Sequence, residues 1–257
     1  IPFRLDCSLT YQVESSTGEV STPVDRVVRL LDTVEWKKII EKAWQWGIPH
    51  VVFTGGEPTL RPDLVELVQY TQDLGQVTGL ITDGFKLTQK GYLDELLNAG
   101  LDHLMIILRE DEDISWEAIR DTLPEDIHLT VHVTITPTNR DHVPALLDRL
   151  MQMGVTNISF SSPSKDLAED LSTASRLAAE KGLSLVYDLP VPYSELNPVN
   201  IELEKDQSTI KGAGHSWLYV EPDGDVLPGQ GYLHVLGNLL SDSWMSISTN
   251  RKIYLHQ

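Results

Sequence analysis

The feature that most constrains the fold is a regular alternation of short β-branched runs with amphipathic stretches over the first 187 residues. Runs of this kind predict strands, the stretches between them predict helices, and strands separated by helices form parallel sheets. The predicted strands span residues 4–10, 50–54, 77–82, 103–108, 129–135, 158–161 and 183–187, and the predicted helices span residues 34–46, 64–74, 92–99, 116–122, 143–153 and 167–181.

Six or seven such βα units are fewer than the eight that close a full barrel. The pattern therefore predicts an α/β fold with a partial (β/α)6-type barrel, and a doubly wound open sheet is the alternative. After residue 187 the prolines at 190, 192 and 198 end the repeat. We predict a barrel over residues 1–190 and a small β-rich extension over residues 191–257, with a hairpin whose strands, 216–220 and 225–227, flank the turn Glu221-Pro222-Asp223-Gly224.

Charge and composition narrow the range of binding partners that can be expected. The chain has 38 acidic and 20 basic residues and a formal charge of −18, which disfavours nucleic acid and anionic membrane surfaces. No apolar run is long enough to cross a bilayer, and the first residues lack the order of a signal peptide, so we expect a cytoplasmic protein with no membrane partner. The single cysteine, Cys7, excludes an internal disulfide and any all-cysteine metal site. Because it falls within a predicted strand, we interpret it as a small core residue.

The most informative motif follows the second predicted strand, where Gly55, Gly56, Glu57 and Pro58 come in succession. Loops at the carboxyl ends of parallel strands are common binding positions. Two glycines let a ligand approach the backbone, Glu57 offers a carboxylate to an ammonium group, and Pro58 fixes the backbone that follows. Two glycines alone would more simply indicate a tight turn, so the flanking residues have to decide between a turn and a binding loop.

Those flanks resemble a known family. The segment 53–64 looks like the second strand and following loop of radical S-adenosylmethionine (SAM) enzymes. Residues 80–84 are similar to the family's Thr-Asn-Gly after the third strand, although Asp83 replaces the usual asparagine, and residues 98–102 resemble the segment before the fourth strand. By this resemblance the chain is identified as a member of the radical SAM superfamily.

The resemblance implies a mechanism and its cofactors. A reduced [4Fe–4S] cluster would cleave SAM to a 5′-deoxyadenosyl radical that abstracts hydrogen from a small-molecule or peptide substrate, with an electron donor such as a flavodoxin or ferredoxin. It implies that the 55–58 loop holds the amino group of SAM, that Thr82 and Asp83 lie near the nucleoside, and that Arg109 meets the carboxylate. The further candidate cofactor-binding residues, at later strand ends, are Thr134, Asn139 and Ser161. No catalytic residue and no substrate is predicted.

The extension resembles the SPASM or twitch extension of some members, over residues 219–228 and 236–239. In those members a cysteine that ligates an auxiliary cluster usually follows the proline. Here Gly229 follows Pro228, so we favour a plain hairpin over an auxiliary cluster site.

The three cysteines that ligate the radical SAM cluster, spaced CxxxCxxC after the first strand, are also absent. One interpretation is a degenerate member with Val13, Thr17 and Val20 at the cysteine positions. The other, which we favour, is that a short cysteine-bearing segment is missing between Gln12 and Val13, because residues 9–12 resemble the flank before the first cysteine and residues 13–16 the flank after the last. Either way, no metal ligand is assigned in this chain.

Three functions follow. We predict a radical SAM enzyme, provided that the cysteine-bearing segment exists. The alternative is a cluster-free relative that binds SAM or a peptide. An unrelated barrel hydrolase or lyase ranks last, because no nucleophile elbow, metal motif or phosphate loop is found.

Overall fold

The structure, a computed structural model, describes residues 1–15, 17–23, 27, 29–187, 189–192, 194 and 212–255. Ser16 and Pro198, which entered the sequence arguments, lie outside these ranges. The strands are β1 Arg4–Thr10, β2 Val13–Glu14, β3 Val20–Ser21, β4 His50–Gly55, β5 Val77–Thr82, β6 His103–Ile107, β7 His128–Thr134, β8 Asn157–Ser161, β9 Ser184–Leu185, β10 Trp217–Val220, β11 Asp225–Leu227 and β12 Gly237–Asn238. The helices are α1 Thr33–Gln45, α2 Leu64–Asp73, α3 Tyr92–Asn98, α4 Asp113–Thr122, α5 Val143–Met153, α6 Ala168–Glu180 and α7 Trp244–Leu255.

One large sheet organises the described part of the chain, in the order β12-β11-β10-β1-β4-β5-β6-β7-β8-β9. Every pair from β10 to β9 is parallel, whereas β10, β11 and β12 pair antiparallel. The predicted mixed α/β fold with a large parallel sheet and C-terminal antiparallel strands is therefore confirmed. The sheet has two separate edges, β12 and β9, so it does not close into a full barrel.

The C-terminal hairpin is part of this sheet, because β10 pairs parallel with β1 on the side opposite β4. The predicted hairpin forms as β10 and β11, with Val220 opposite Val226. The helix α7 was not predicted, because it buries only Ile247 and Arg251 and thus lacks an apolar period. The division of the chain at residue 190 and the SPASM or twitch likeness of the extension stay predictions.

Side chains alternate across β1. Leu5, Cys7 and Leu9 belong to the core that also contains Trp36 and Ile39 of α1, so Cys7 is the small core residue that we predicted. Burial raises the pKa of its thiol well above the ordinary value. On the other face, Arg4 and Asp6 form a buried ion pair at 2.7 Å. The described helices include none with the length and apolar character needed to cross a bilayer.

A histidine pair lies at the amino ends of β4 and β6. The Nε2 atoms of His50 and His103 are 2.6 Å apart, across the intervening strand β5. Gly79 of β5 makes room for the His103 ring, since a Cβ at position 79 would come within 2.1 Å of it. Burial, and then the neighbouring charge of His128, lowers the pKa of His103 from 6.5 to about 4, while burial followed by the charge of His103 lowers that of His50 to about 3.

This pair should make the fold acid-sensitive. Between pH 6.5 and about 4 the unfolded chain protonates His103 but the folded chain does not, so the free energy of unfolding falls as the pH falls. The contribution of one such group is at most about 1.4 kcal/mol for each pH unit. We expect His103→Asn to flatten the pH dependence of urea unfolding between pH 7 and 5, whereas the exposed His215→Asn leaves it unchanged. Equal slopes in all three proteins would contradict this account.

Candidate functional site

A cavity of about 400 Å³ opens at the carboxyl ends of the parallel strands. One wall is the β2–β3 hairpin, which follows β1, and the other walls are the loops after β4, β5, β6 and β7. The described residues that line it are Val13, Glu14, Ser15, Ser21, Gly56, Glu57, Asp83, Ile107, Leu108, Arg109, Glu110, Asp111, Glu112, Val133, Thr134, Thr136, Thr138, Asn139, Leu146, Val191, Pro192 and Ser194.

The candidate residues divide into two groups. Those that line the cavity are Gly56, Glu57, Asp83, Arg109, Thr134 and Asn139. Those that are not among its lining residues are Gly55, Pro58, Thr82 and Ser161. Pro58 begins a short 3-10 turn, Pro58–Leu60, and is buried there.

The two glycines of the motif allow close contact with the chain that leaves β1. The Gly56 N–H donates to the Thr10 carbonyl and the Glu57 N–H donates to the Gln12 carbonyl, both at 2.7 Å. A Cβ on Gly55 would lie 2.1 Å from the Thr10 oxygen, and one on Gly56 would lie 2.2 Å from the Gln12 oxygen. The sequence argument assigned the glycines to ligand approach, and the structure shows a further reason for them, because the backbone packs too closely to admit a Cβ at either position.

The Glu57 carboxylate connects the loops after β4 and β5. It is 3 % exposed. One oxygen accepts hydrogen bonds from the Thr59 N–H, at 2.9 Å, the Thr59 hydroxyl, at 2.6 Å, and the Thr82 hydroxyl, at 2.7 Å. The other accepts from the Asp83 N–H at 2.7 Å. Thr82 therefore serves the site by holding Glu57, and the carboxylate fixes the loops after β4 and β5 against each other.

Asp83 and Arg109 form an ion pair on the cavity wall, at 3.2 Å. The other Asp83 oxygen accepts from the Phe85 N–H at 3.0 Å, and the Arg109 guanidinium lies over the Phe85 ring. Burial and then the charge of Glu57 raise the pKa of Asp83 to about 8. Arg109 opposes that shift, but at this distance and with 26 % of its side chain exposed it does not cancel it.

Arg109 also connects the loop after β6 to the hairpin across the cavity. Both of its terminal nitrogens lie 3.4 Å from the Glu14 carbonyl, to which they donate. One side chain thus contacts the wall formed by β2 and the wall formed by the loop after β5.

The strand ends of β7 and β8 are fixed by local hydrogen bonds. Asn139 accepts from the Thr136 N–H at 2.8 Å and donates to the Thr134 carbonyl at 2.9 Å, which closes the turn after β7. Ser161 is hydrogen-bonded to Nε2 of His132 at 2.9 Å and lies outside the cavity lining. Burial lowers the pKa of His132 to about 3, so this histidine stays neutral.

Sequence reasoning missed the hairpin wall and most of the loop after β6. Val13 and Glu14 were treated as part of a flank of absent cysteines and Ser21 was not considered, although Gly18, with a φ of 80°, in a polar stretch between two valines was a usable hairpin signal. The loop contributes Glu110, Asp111 and Glu112. With Glu14, Glu57 and Asp83 these make six carboxyl groups against one arginine among the described lining residues.

The residues of this chain do not fit a four-iron cluster. Such a cluster needs three or four thiolates, and the one cysteine, Cys7, is buried in β1 among the core residues that pack against the helices. The part of the chain that the structure describes contains no group of three or more histidine, cysteine, aspartate or glutamate side chains that could hold a metal ion.

The Glu57 hydrogen bonds can be tested by Glu57→Gln. The amide places its own N–H groups where one carboxylate oxygen accepted, so we expect the free energy of unfolding to fall by about 1–3 kcal/mol. Removal of the negative charge should also lower the pKa of Asp83, which a ¹³C NMR titration of its carboxyl group measures. The exposed Glu66→Gln is the control and should change neither quantity appreciably. An unchanged Asp83 titration in Glu57→Gln would contradict the assignment.

Comparison with known proteins agrees with this geometry. Residues 7–127 match the family model described as "Radical SAM superfamily". A PqqA peptide cyclase of Bradyrhizobium diazoefficiens is 29 % identical over 287 residues, covering 98 % of this chain and 72 % of that protein. The PqqA peptide cyclase of Gluconobacter oxydans is 27 % identical, over 88 % of this chain and 70 % of that protein. The first alignment is longer than the 257-residue chain itself, so it contains positions at which this chain has no residue.

Solved structures share the fold. Streptococcus suis SuiB bound to S-adenosylmethionine superposes with a TM-score of 0.68 at 14 % identity over 96 % of this chain, which spans 65 % of the SuiB chain. SuiB bound to its precursor peptide SuiA gives 0.67 at 14 % identity, over 96 % of this chain and 64 % of that one. Native anSMEcpe with bound AdoMet gives 0.70 at 15 % identity, over 98 % of this chain and 83 % of that one. Residues 7–127 of this chain thus match the radical SAM superfamily model, and the fold of the chain is similar to that of SuiB and anSMEcpe.

Proposed function

We propose that the cavity binds SAM and that the protein modifies a peptide by radical SAM chemistry. The observation that carries the proposal is the cavity itself, which lies at the carboxyl ends of parallel strands and is lined by the 55–58 loop of the radical SAM domain. Support for a peptide substrate comes from the relatives named PqqA peptide cyclases and from the SuiB structure that contains the peptide SuiA.

The residues present suit SAM. A volume of about 400 Å³ is in the range of small-molecule sites, which is roughly 300–1,000 Å³. SAM carries an ammonium, a carboxylate and a sulfonium, and this cavity offers carboxylates and one arginine on facing walls. In the proposal Gly56 and Glu57 lie at the amino group, Arg109 holds the carboxylate, and Asp83, Thr134 and Asn139 face the rest of the molecule. Gly55, Pro58, Thr82 and Ser161 act from behind the wall by shaping it.

The thiolates for reductive cleavage of SAM have to come from a segment that this sequence lacks. We place that segment between Gln12 and Val13. The Gln12 carbonyl accepts a hydrogen bond from the Glu57 N–H, and Val13 lines the cavity. A loop inserted between these two residues would therefore begin and end beside the 55–58 loop. The proposal keeps a flavodoxin or ferredoxin as the electron donor and the cytoplasm as the location.

A second candidate function is binding of SAM or a peptide without the cluster. Two observations favour it. The only cysteine is buried away from the cavity, and the chain after Gln12 runs directly into the β2–β3 hairpin, with Val13 opposite Ser21.

The two functions are separated by one set of measurements on protein expressed from its full coding sequence. For the enzyme we expect an intact mass above 28.8 kDa, iron and sulfide uptake under anaerobic reconstitution, and 5′-deoxyadenosine after reduction with SAM. Cys7→Ala is the control and should retain iron, since Cys7 lies in the core. A mass of 28.8 kDa with no iron and no 5′-deoxyadenosine would leave only the binding function.

The SAM site itself is tested by calorimetry with SAM as the titrant. Arg109→Gln removes the only basic side chain among the described lining residues, and we expect the affinity for SAM to fall about tenfold or more, as for loss of a charge-assisted hydrogen bond. Arg120→Gln makes the same charge change on the exposed side of α4 and should bind SAM as the wild type does. Equal SAM affinities of the two variants would show that Arg109 does not contribute to SAM binding.

A further inference from the structure

A second depression, which we call the α4–α5 groove, lies beside the cavity and has a volume of about 470 Å³. Four residues line both, namely Glu110, Asp111, Thr138 and Leu146. The groove and the cavity are therefore contiguous, and a ligand too long for the cavity can continue into the groove.

The part of the groove away from the cavity is formed by Trp116 of α4 and by one face of α5. His142, Ala145 and Arg149 belong to the groove but not to the cavity. With Leu146 they are spaced three or four residues apart, which places them on the same side of a helix. This face is consequently a continuous wall that runs outward from the cavity.

Arg149 is held flat against that wall. Its guanidinium carbon lies 3.5 Å from the centre of the Trp116 ring. The indole is itself fixed, because it is 2 % exposed and its Nε1–H donates to the Glu110 carbonyl at 2.9 Å. Stacking on a fixed ring orients the guanidinium and leaves its N–H edges available, which is the arrangement that binds a carboxylate through two hydrogen bonds.

The Arg149 charge has no partner among the described residues. No carboxylate of that part of the chain lies within ion-pair distance of it, although the chain has 38 acidic residues. The arginines at 140 and 176 of neighbouring surface segments do have such partners, Asp170 and Glu180.

Charge changes sign along the groove. Glu110 and Asp111 lie at the boundary with the cavity, whereas the positive charge of Arg149 lies at the far part. A ligand that extends from the cavity into the groove matches this charge pattern when its negative group lies past Glu110 and Asp111, next to Arg149.

We propose that the α4–α5 groove binds part of the peptide substrate and that Arg149 binds a carboxylate of that peptide outside the cavity. The inference rests on the proposed peptide function and narrows its substrate class to peptides with an acidic group near the residue that enters the cavity. Arg149 is a specificity residue in this account, and the bond that is broken or formed lies elsewhere.

The test is affinity selection from a randomised synthetic heptapeptide library in the presence of SAM. For the wild-type protein we expect aspartate and glutamate to be enriched about fivefold over asparagine and glutamine in the selected peptides, as for one exposed ion pair. Arg149→Gln keeps the length of the side chain and should lower this enrichment below about twofold. Arg176→Gln removes an equal charge from the surface of α6 and should retain the wild-type enrichment.

Two forms of the library identify the carboxylate. Enrichment in the carboxyl-terminal amide library assigns an acidic side chain to Arg149, and an advantage of the free-acid library alone assigns the peptide terminus. Selection of peptides by the wild type with neither a preference for acidic side chains nor an advantage of the free-acid library, or a preference of either kind that persists in Arg149→Gln, overturns the groove assignment and leaves the peptide function in place. Selection of no peptide at all overturns both.

Discussion

The carboxylate of Glu57 is the interaction on which the rest of the site depends. It is buried, it accepts four hydrogen bonds, and its donors come from the turn after β4 and the end of β5. Because these groups meet at one side chain, the loops that line the cavity are positioned by the same residue. The negative charge of Glu57 also acts on Asp83, whose pKa is raised, so the geometry of the cavity wall and its protonation are coupled through one group.

A second constraint comes from the backbone. The chain that leaves β1 is bonded to Gly56 and Glu57 at a distance that no side chain at positions 55 and 56 would permit. This contact puts the Gln12–Val13 junction at the edge of the cavity. The junction at which we place the missing cysteine-bearing segment therefore lies beside the 55–58 loop, which we propose binds SAM.

The sequence predicted well what depends on periodicity and poorly what depends on contacts between distant segments. Strands such as β5 and helices such as α5 matched their predicted bounds, because alternation and apolar spacing are local properties. The motif at 55–58 lies at the carboxyl end of β4, where the cavity opens. The hydrogen bonds of Thr82 and Ser161 are to Glu57 and His132, which are far away in sequence. α7 has too little apolar period to be predicted, and the stacking of Arg149 on Trp116 joins two helices whose relative placement no local pattern encodes.

β10 pairs parallel with β1, although the sequence pattern assigns β1 to the predicted barrel and β10 to the predicted extension. Four residue pairs, from Arg4 with Trp217 to Cys7 with Val220, lie along this contact. A polypeptide that stopped at residue 190 would leave the amide and carbonyl groups on one side of β1 facing solvent, and β1 is a strand with both faces buried. Exposed strands of this type recruit other chains and aggregate. β10 and the two strands that pair after it thus cover this side of β1, and any attempt to produce residues 1–190 by themselves would have to supply a substitute for that cover.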